Sequence, residues 1–67
     1  MISVYLNGNA RQFEHPITIT DLISLLDLSG KRIAIECNGK IIPRSLFQEY
    51  LLADGDKIEV VVAVGGG

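Results

Sequence analysis

Asparagine-glycine pairs occur twice in this chain, at Asn7-Gly8 and Asn38-Gly39, each just after a run whose alternate residues are apolar. Such a pair supplies two consecutive residues that accept positive φ, as a two-residue hairpin turn demands. Two hairpins are therefore predicted. In the first, Ile2, Val4 and Leu6 share one face and Ser3 and Tyr5 the other, and "ARQFEH" returns, anchored by Phe13. In the second, Ile33, Ile35 and Cys37 alternate with Ala34 and Glu36. Ile41 and Ile42 begin its return strand, which Pro43 ends or marks as an edge.

Between the hairpins lies "TITDLISLLDLSG". Thr18 and Asp21 have the spacing of a capping box, although that motif prefers Glu or Gln in its last place. Ile19, Leu22, Ile23 and Leu26 fall on one helical face, and Leu25 and Leu28 widen it. The spacing predicts a helix over 19–28, with Gly30 as its stop and Lys31 and Arg32 favourably placed just past its end. "SLFQEYLLADGD" reads as a short helix or irregular turns, with Ser45 and Gln48 as a second capping box and Leu46, Phe47, Tyr50 and Leu51 as packing residues. Asp54-Gly55-Asp56 is a turn. In the last strand Ile58, Val60, Val62 and Val64 share one face, and Lys57, Glu59, Val61 and Ala63 the other. Valines on both faces place that strand at the centre of its sheet. One helix can cover one face of a four- or five-stranded mixed sheet, so the class is α+β and the arrangement a β-grasp. Residues 1–64 form the domain and 65–67 a flexible glycine tail.

This fold must stand on its core alone. With 67 residues there is room for one domain, and with one cysteine, Cys37, there is no internal disulfide. One His and one Cys do not make a zinc site without carboxylates. The 48% hydrophobic content can supply the core. A net charge of −2 argues against a nucleic-acid partner. No apolar run approaches the ~18 residues that span a bilayer. The opening "MISVYLNG" has neither the basic nor the long apolar region of a signal peptide. With an unpaired cysteine, these features predict a cytoplasmic protein, away from membranes.

No catalytic constellation emerges. His15 stands beside Pro16 in a connection and reads as an exposed loop residue. Cys37 lies on the Ile33/Ile35 face and reads as a small buried hydrophobe, with no cationic cluster to activate it. Asn7-Gly8-Asn9 lacks the following helix of a phosphate loop, and Asp54-Gly55-Asp56 lacks the rest of a calcium loop. Arg44 is either a plain surface cation or a guanidinium for a partner's carboxylate. Val61 and Ala63, on the sheet face away from the helix, are either strand-favouring residues or a docking patch.

The run "VVAVGGG" poses a separate question. Gly65, Gly66 and Gly67 bury no side chain and cost entropy when held still. They provide an extended peptide of minimal cross-section that reaches roughly 10 Å past the strand. Such a peptide can thread a narrow channel into another protein's active site, where a bulky residue at Gly66 or Gly67 would not pass. A frayed terminus or an artificial extension is the alternative reading.

Taken together, "CNGKIIPRSLF" and "LLADGDKIEVVVAVGGG" resemble the ThiS family, the sulfur carriers of thiamine biosynthesis. The likeness covers essentially the whole chain, including the Thr-capped helix and the terminal diglycine. Gly65 is an additional glycine before that pair, and Phe47 only approximates an aromatic often found after the Pro-Arg pair. The resemblance implies a ubiquitin-like carrier with no bound cofactor, not an enzyme. An E1-like adenylating enzyme of the ThiF type would use Mg-ATP to convert the Gly67 carboxylate to an acyl-adenylate. Sulfur from a cysteine desulfurase or sulfurtransferase would then give a thiocarboxylate, which thiazole synthase would consume. Gly65 and Gly66 would give access, and Arg44, Val61 and Ala63 would contribute to docking. The small subunit of molybdopterin synthase, a protein-conjugating modifier, and a β-grasp binding module with an inert tail remain alternatives at this point.

Overall fold

The computed structural model describes residues 1–63. Both predicted hairpins are present. Strands β1 (Ile2–Leu6) and β2 (Asn9–Phe13) pair antiparallel across Asn7-Gly8. Strands β3 (Ile33–Cys37) and β4 (Lys40–Ile42) do the same across Asn38-Gly39. The turn residues have φ of 49° and 85° in the first hairpin and 53° and 84° in the second. Positive φ at both central positions defines the type I′ turn, whose twist matches that of the strands. With β5 (Lys57–Val62), the strands form one five-stranded sheet in the order β2-β1-β5-β3-β4. β5 is central, parallel to β1 and antiparallel to β3. The fold is thus the expected mixed β-grasp sheet.

The core lies between this sheet and α1 (Ile19–Leu25). Val4, Ile19, Leu22, Ile35, Leu52 and Ile58 are essentially sealed from water. Each such side chain contributes on the order of 1.5–3 kcal/mol on burial. Ile2, Leu6 and Cys37 complete the alternation read from the strands, and Phe47 closes one end.

A helix of seven residues is too short to persist alone, and its ends explain how it forms here. Its first amides have no partner within a helix. The Ile19 and Thr20 N–H groups donate to the Tyr50 and Phe47 carbonyls. The Asp21 N–H donates to Thr18 Oγ1 at 3.1 Å, and the Thr18 N–H donates to Asp21 Oδ2 at 3.1 Å. This is the reciprocal capping box, with Asp in place of Glu.

The far end differs from expectation. The helix stops at Leu25 with Leu26 as its C-cap, well before Gly30. Asp27 takes φ of 59°, its N–H donates to the Ser24 carbonyl, and the Leu28 N–H donates to the Ile23 carbonyl. That pair of bonds is a Schellman motif with Asp at the position that usually holds Gly. Gly30, at φ of 83°, serves a separate turn closed by the Lys31 N–H on the Leu28 carbonyl. Lys31 and Arg32 therefore lie beyond the reach of the helix dipole, and Leu25 is 65% exposed.

Two further expectations are corrected between β4 and β5. The segment holds a single 3₁₀ turn, Arg44–Leu46, whose N-cap is Pro43 without a side-chain bond, so Ser45 and Gln48 form no capping box. Leu51 and Leu46 are exposed, and the buried residue is Leu52, whose N–H donates to the Ile17 carbonyl. An extended chain turns successive side chains to opposite faces, so a one-residue offset exchanges which leucine is buried. None of the helices among the described residues is long and apolar enough to cross a membrane.

Asp27 supplies a test of the helix end. Asp27→Gly relieves a left-handed backbone that L-residues adopt at a cost. The variant is expected to be more stable by about 0.5–1 kcal/mol in urea unfolding, with an unchanged fold. A loss of stability would contradict the Schellman assignment.

Candidate functional site

The site is the far end of β5, and its construction starts from the two turn asparagines. Asn38 N–H donates to the Lys57 carbonyl at 2.7 Å, and Asn38 Oδ1 accepts from the Lys57 N–H at 2.9 Å. Asn38 Nδ2 also donates to Asp56 Oδ1 at 3.0 Å. On the other side of β5, Asn7 N–H donates to the Ile58 carbonyl. Asn7 Oδ1 accepts from the Val60 N–H at 2.8 Å, and Asn7 Nδ2 donates to the Val60 carbonyl at 3.3 Å. The Asn7 side chain thus continues the ladder where β1 ends at Leu6. A residue chosen for its turn conformation also carries an amide that mimics a peptide group.

The turn before β5 is fastened in the same way. Asp54 Oδ1 accepts from the Ser3 N–H at 2.7 Å, and the Gly55 N–H donates to the Ser3 carbonyl at 2.7 Å. Asp56 Oδ2 accepts from the Ala53 N–H at 2.8 Å. These carboxylates are occupied by backbone and by Asn38. Among the described residues no group of three or more His, Cys, Asp or Glu could hold a metal ion.

At its far end β5 is held by β3 alone. Ile33 stands opposite Val62, and the Ala63 N–H donates to the Arg32 carbonyl at 2.9 Å. Hydrogen-bonding direction alternates along a strand, so the Val62 backbone groups point toward the β1 side. β1 has no residue paired that far along β5. The ordered sheet therefore carries the chain out to Ala63.

Val61 is 59% exposed on the sheet face away from α1, and Ala63 is exposed next to it. Ile41, 75% exposed, lies on the same face. Between them Glu36 stands directly across from Glu59, a like-charged pair that costs stability in the isolated domain. This face thus carries exposed apolar positions on either side of a charged pair, rather than an apolar patch rimmed by charge. Arg44 is not part of it. It lines a groove beside α1 with Phe47, Ile23 and Arg32. Gly65, Gly66 and Gly67, and Val64 before them, lie outside the described residues.

Cys37 is buried and unpaired. Burial pushes its thiol up, an effect its contact with Tyr50 only partly offsets and the Asp56 charge reinforces. Tyr50 in turn is pushed up to about 12, chiefly by the neighbouring Cys37 thiol and then by burial. The thiol is therefore protonated near neutral pH and shielded, which makes it a poor nucleophile. His15 is exposed, with Nδ1 3.1 Å from the Pro16 carbonyl oxygen.

Sequence reading missed the side-chain roles of Asn7 and Asn38 on β5. Asn7 and Val60 are 53 residues apart, and nothing local signals their contact. The signal present was the Asn-Gly pairing itself, which puts an amide at each hairpin end.

Comparison with known proteins gives a consistent result. The family model described as the ThiS family matches residues 4–67. The sulfur carrier protein ThiS of Bacillus subtilis is 42% identical over 75% of this chain and 76% of its own. A thiazole synthase of Paramagnetospirillum magneticum is 33% identical over 98% of this chain, but only 20% of that protein is covered. The crystal structure of the thiamine biosynthesis protein ThiS from Geobacter metallireducens superimposes with a TM-score of 0.82 at 26% identity, covering 98% of this chain and 100% of that one.

Asn7→Gly keeps the turn conformation and deletes the amide that holds Val60. The expected loss is about 1 kcal/mol, with faster hydrogen exchange confined to Val60 and its neighbours in β5. Unchanged exchange at Val60 would show that the Asn7 amide does not hold the strand.

Proposed function

This chain belongs to the ThiS family, and from that premise we propose that it is a sulfur carrier of thiamine biosynthesis that works through the carboxylate of Gly67. It supplies no catalytic group. The observation that carries the reading is the family match itself, which spans residues 4–67 and so includes the glycines.

A carboxylate is a poor acyl donor because its negative charge repels a nucleophile and its oxygen is a poor leaving group. In the proposed cycle, an E1-like adenylating enzyme of the ThiF type removes this obstacle. A Gly67 carboxylate oxygen attacks the α-phosphorus of Mg-ATP and pyrophosphate departs. The terminal sulfur of a partner's persulfide, loaded by a cysteine desulfurase or sulfurtransferase, then attacks the acyl carbon and AMP departs. A second thiol of the partner attacks the partner's own sulfur in the resulting acyl disulfide, which releases the thiocarboxylate and leaves a disulfide on the partner. Easier steps replace one hard one, as in covalent catalysis. Thiazole synthase takes the sulfur. Nucleotide, metal and sulfur donor all belong to the partners, and the cycle runs in the cytoplasm.

The chain's own residues supply position. Asn38 and Asn7 hold β5, and β3 carries it to Ala63, so the chain is fixed as far as that residue. Gly65 and Gly66 have no Cβ to obstruct a channel. The exposed face with Val61, Ala63 and Ile41 suits docking, because contact there sets the direction in which the tail is presented. The Glu36–Glu59 pair gains from a cation on the docked enzyme.

Intact-protein mass spectrometry tests the reading. Incubation with Mg-ATP, the adenylating enzyme and a sulfur donor is expected to add about 16 Da, one oxygen replaced by sulfur. A chain lacking Gly66 and Gly67 is expected to gain nothing. Conjugates to other proteins without that mass gain would instead indicate a modifier, and no change in either would exclude both.

A further inference from the structure

Cations on this domain are unevenly placed. Six Lys and Arg residues face eight Asp and Glu in the whole chain. Yet all three arginines, Arg11, Arg32 and Arg44, together with Lys31, line two adjoining grooves beside α1. One groove, of about 250 Å³, holds Arg44, Arg32 and Lys31 over an apolar floor. The other, of about 280 Å³, holds Arg11 beside Val62. Leu28 is the ridge they share, and no acidic residue lines either one. Asp27 adjoins Leu28 in sequence but stands in the exposed turn.

The early end of α1 creates this surface. Because the Schellman motif stops the helix at Leu25, nothing helical covers the far part of β5. Val62 is left 38% exposed on the helix side of the sheet. Arg32 is tied to the same place, since its carbonyl accepts from the Ala63 N–H. The grooves therefore border the point where β5 ends, on the side opposite Val61.

We propose that these grooves form a second docking surface, complementary to an acidic patch with an apolar centre on the thiazole synthase. The proposal rests on the sulfur-carrier reading and deepens it. Each groove is smaller than the ~300–1,000 Å³ typical of small-molecule sites and is open, which suits protruding side chains of a protein better than an enclosed ligand. Its apolar floor is of no use to a bare phosphate backbone, whereas an apolar knob ringed by carboxylates satisfies both floor and rim. The thiazole synthase is the favoured occupant because a like segment forms one fifth of such an enzyme in a relative. A tethered domain has a high effective concentration at its target. A separate chain has no tether and depends on contact and charge steering to find the same enzyme.

The experiment compares the full chain with Arg32→Glu/Arg44→Glu, and with Arg32→Gln/Arg44→Gln should the first fail to fold. Affinity for separately purified thiazole synthase is measured at about 50 and about 300 mM salt, a range over which screening changes strongly. The wild type is expected to bind more weakly at high salt. The charge-reversed pair is expected to bind about tenfold more weakly at low salt and to lose most of that salt dependence, with its melting temperature and its 16 Da mass gain on the adenylating enzyme retained. Low-salt affinity equal to that of the wild type overturns the proposal. So does a loss of affinity for the adenylating enzyme alone. If the wild-type chain gains no mass, the sulfur-carrier reading fails instead, and the two failures are distinguishable.

Discussion

The structure depends on how β5 is gripped. This strand joins the two hairpins, and its neighbours contribute the pairing one expects of a central strand. The less obvious part is that both hairpin turns reach onto it. Asn38 brackets Lys57 with backbone and side chain, and Asn7 brackets Val60 with its amide. Each asparagine accepts the left-handed conformation that its turn needs and spends its side chain on the strand between the hairpins. Two local features of the sequence therefore fix contacts 19 and 53 residues away.

Everything else follows from placing β5 this way. Ile58 meets Leu6 and Cys37 in register and seals the centre of the core. The Asp54-Gly55-Asp56 turn locks onto Ser3, so the start of β5 is tied to the first strand of the chain. A short helix suffices to cover the remaining face because its first amides are all satisfied, two of them by the 47–50 segment. Such a helix, unstable alone, is stabilised by the core it covers. Its early stop leaves the far end of β5 uncovered on the helix side, and that end is where function is proposed to begin.

Much of this was legible in sequence. Period-two alternation marked β1, β3 and β5, and the Asn-Gly pairs marked the turns, because both signals are local. The capping box was legible even with Asp at its last position. The helix end was misread because Gly30 is the stronger stop by composition, whereas Asp27 takes the left-handed conformation and closes the helix first. Leu52 rather than Leu51 is buried, and an irregular segment has no period from which the sequence could set which of the two faces inward. The reach of Asn7 to Val60 was not legible, since it needs the β1–β5 register. As for the site, exposure of Val61 and Ala63 followed from alternation. The distance of Arg44 from them required the path of the chain after Pro43.

The central claim is that a firmly held strand delivers a side-chain-free tail to a partner's active site. Gly66→Val is the sharpest substitution, because it adds only bulk, three residues past the last one described. The measurement is ATP–pyrophosphate exchange by the adenylating enzyme with this variant as substrate, alongside its melting temperature. The melting temperature is expected to be unchanged and exchange reduced by about a hundredfold or more, since misplacement of a reacting group by about 1 Å costs that much. Exchange at the wild-type rate would contradict the claim.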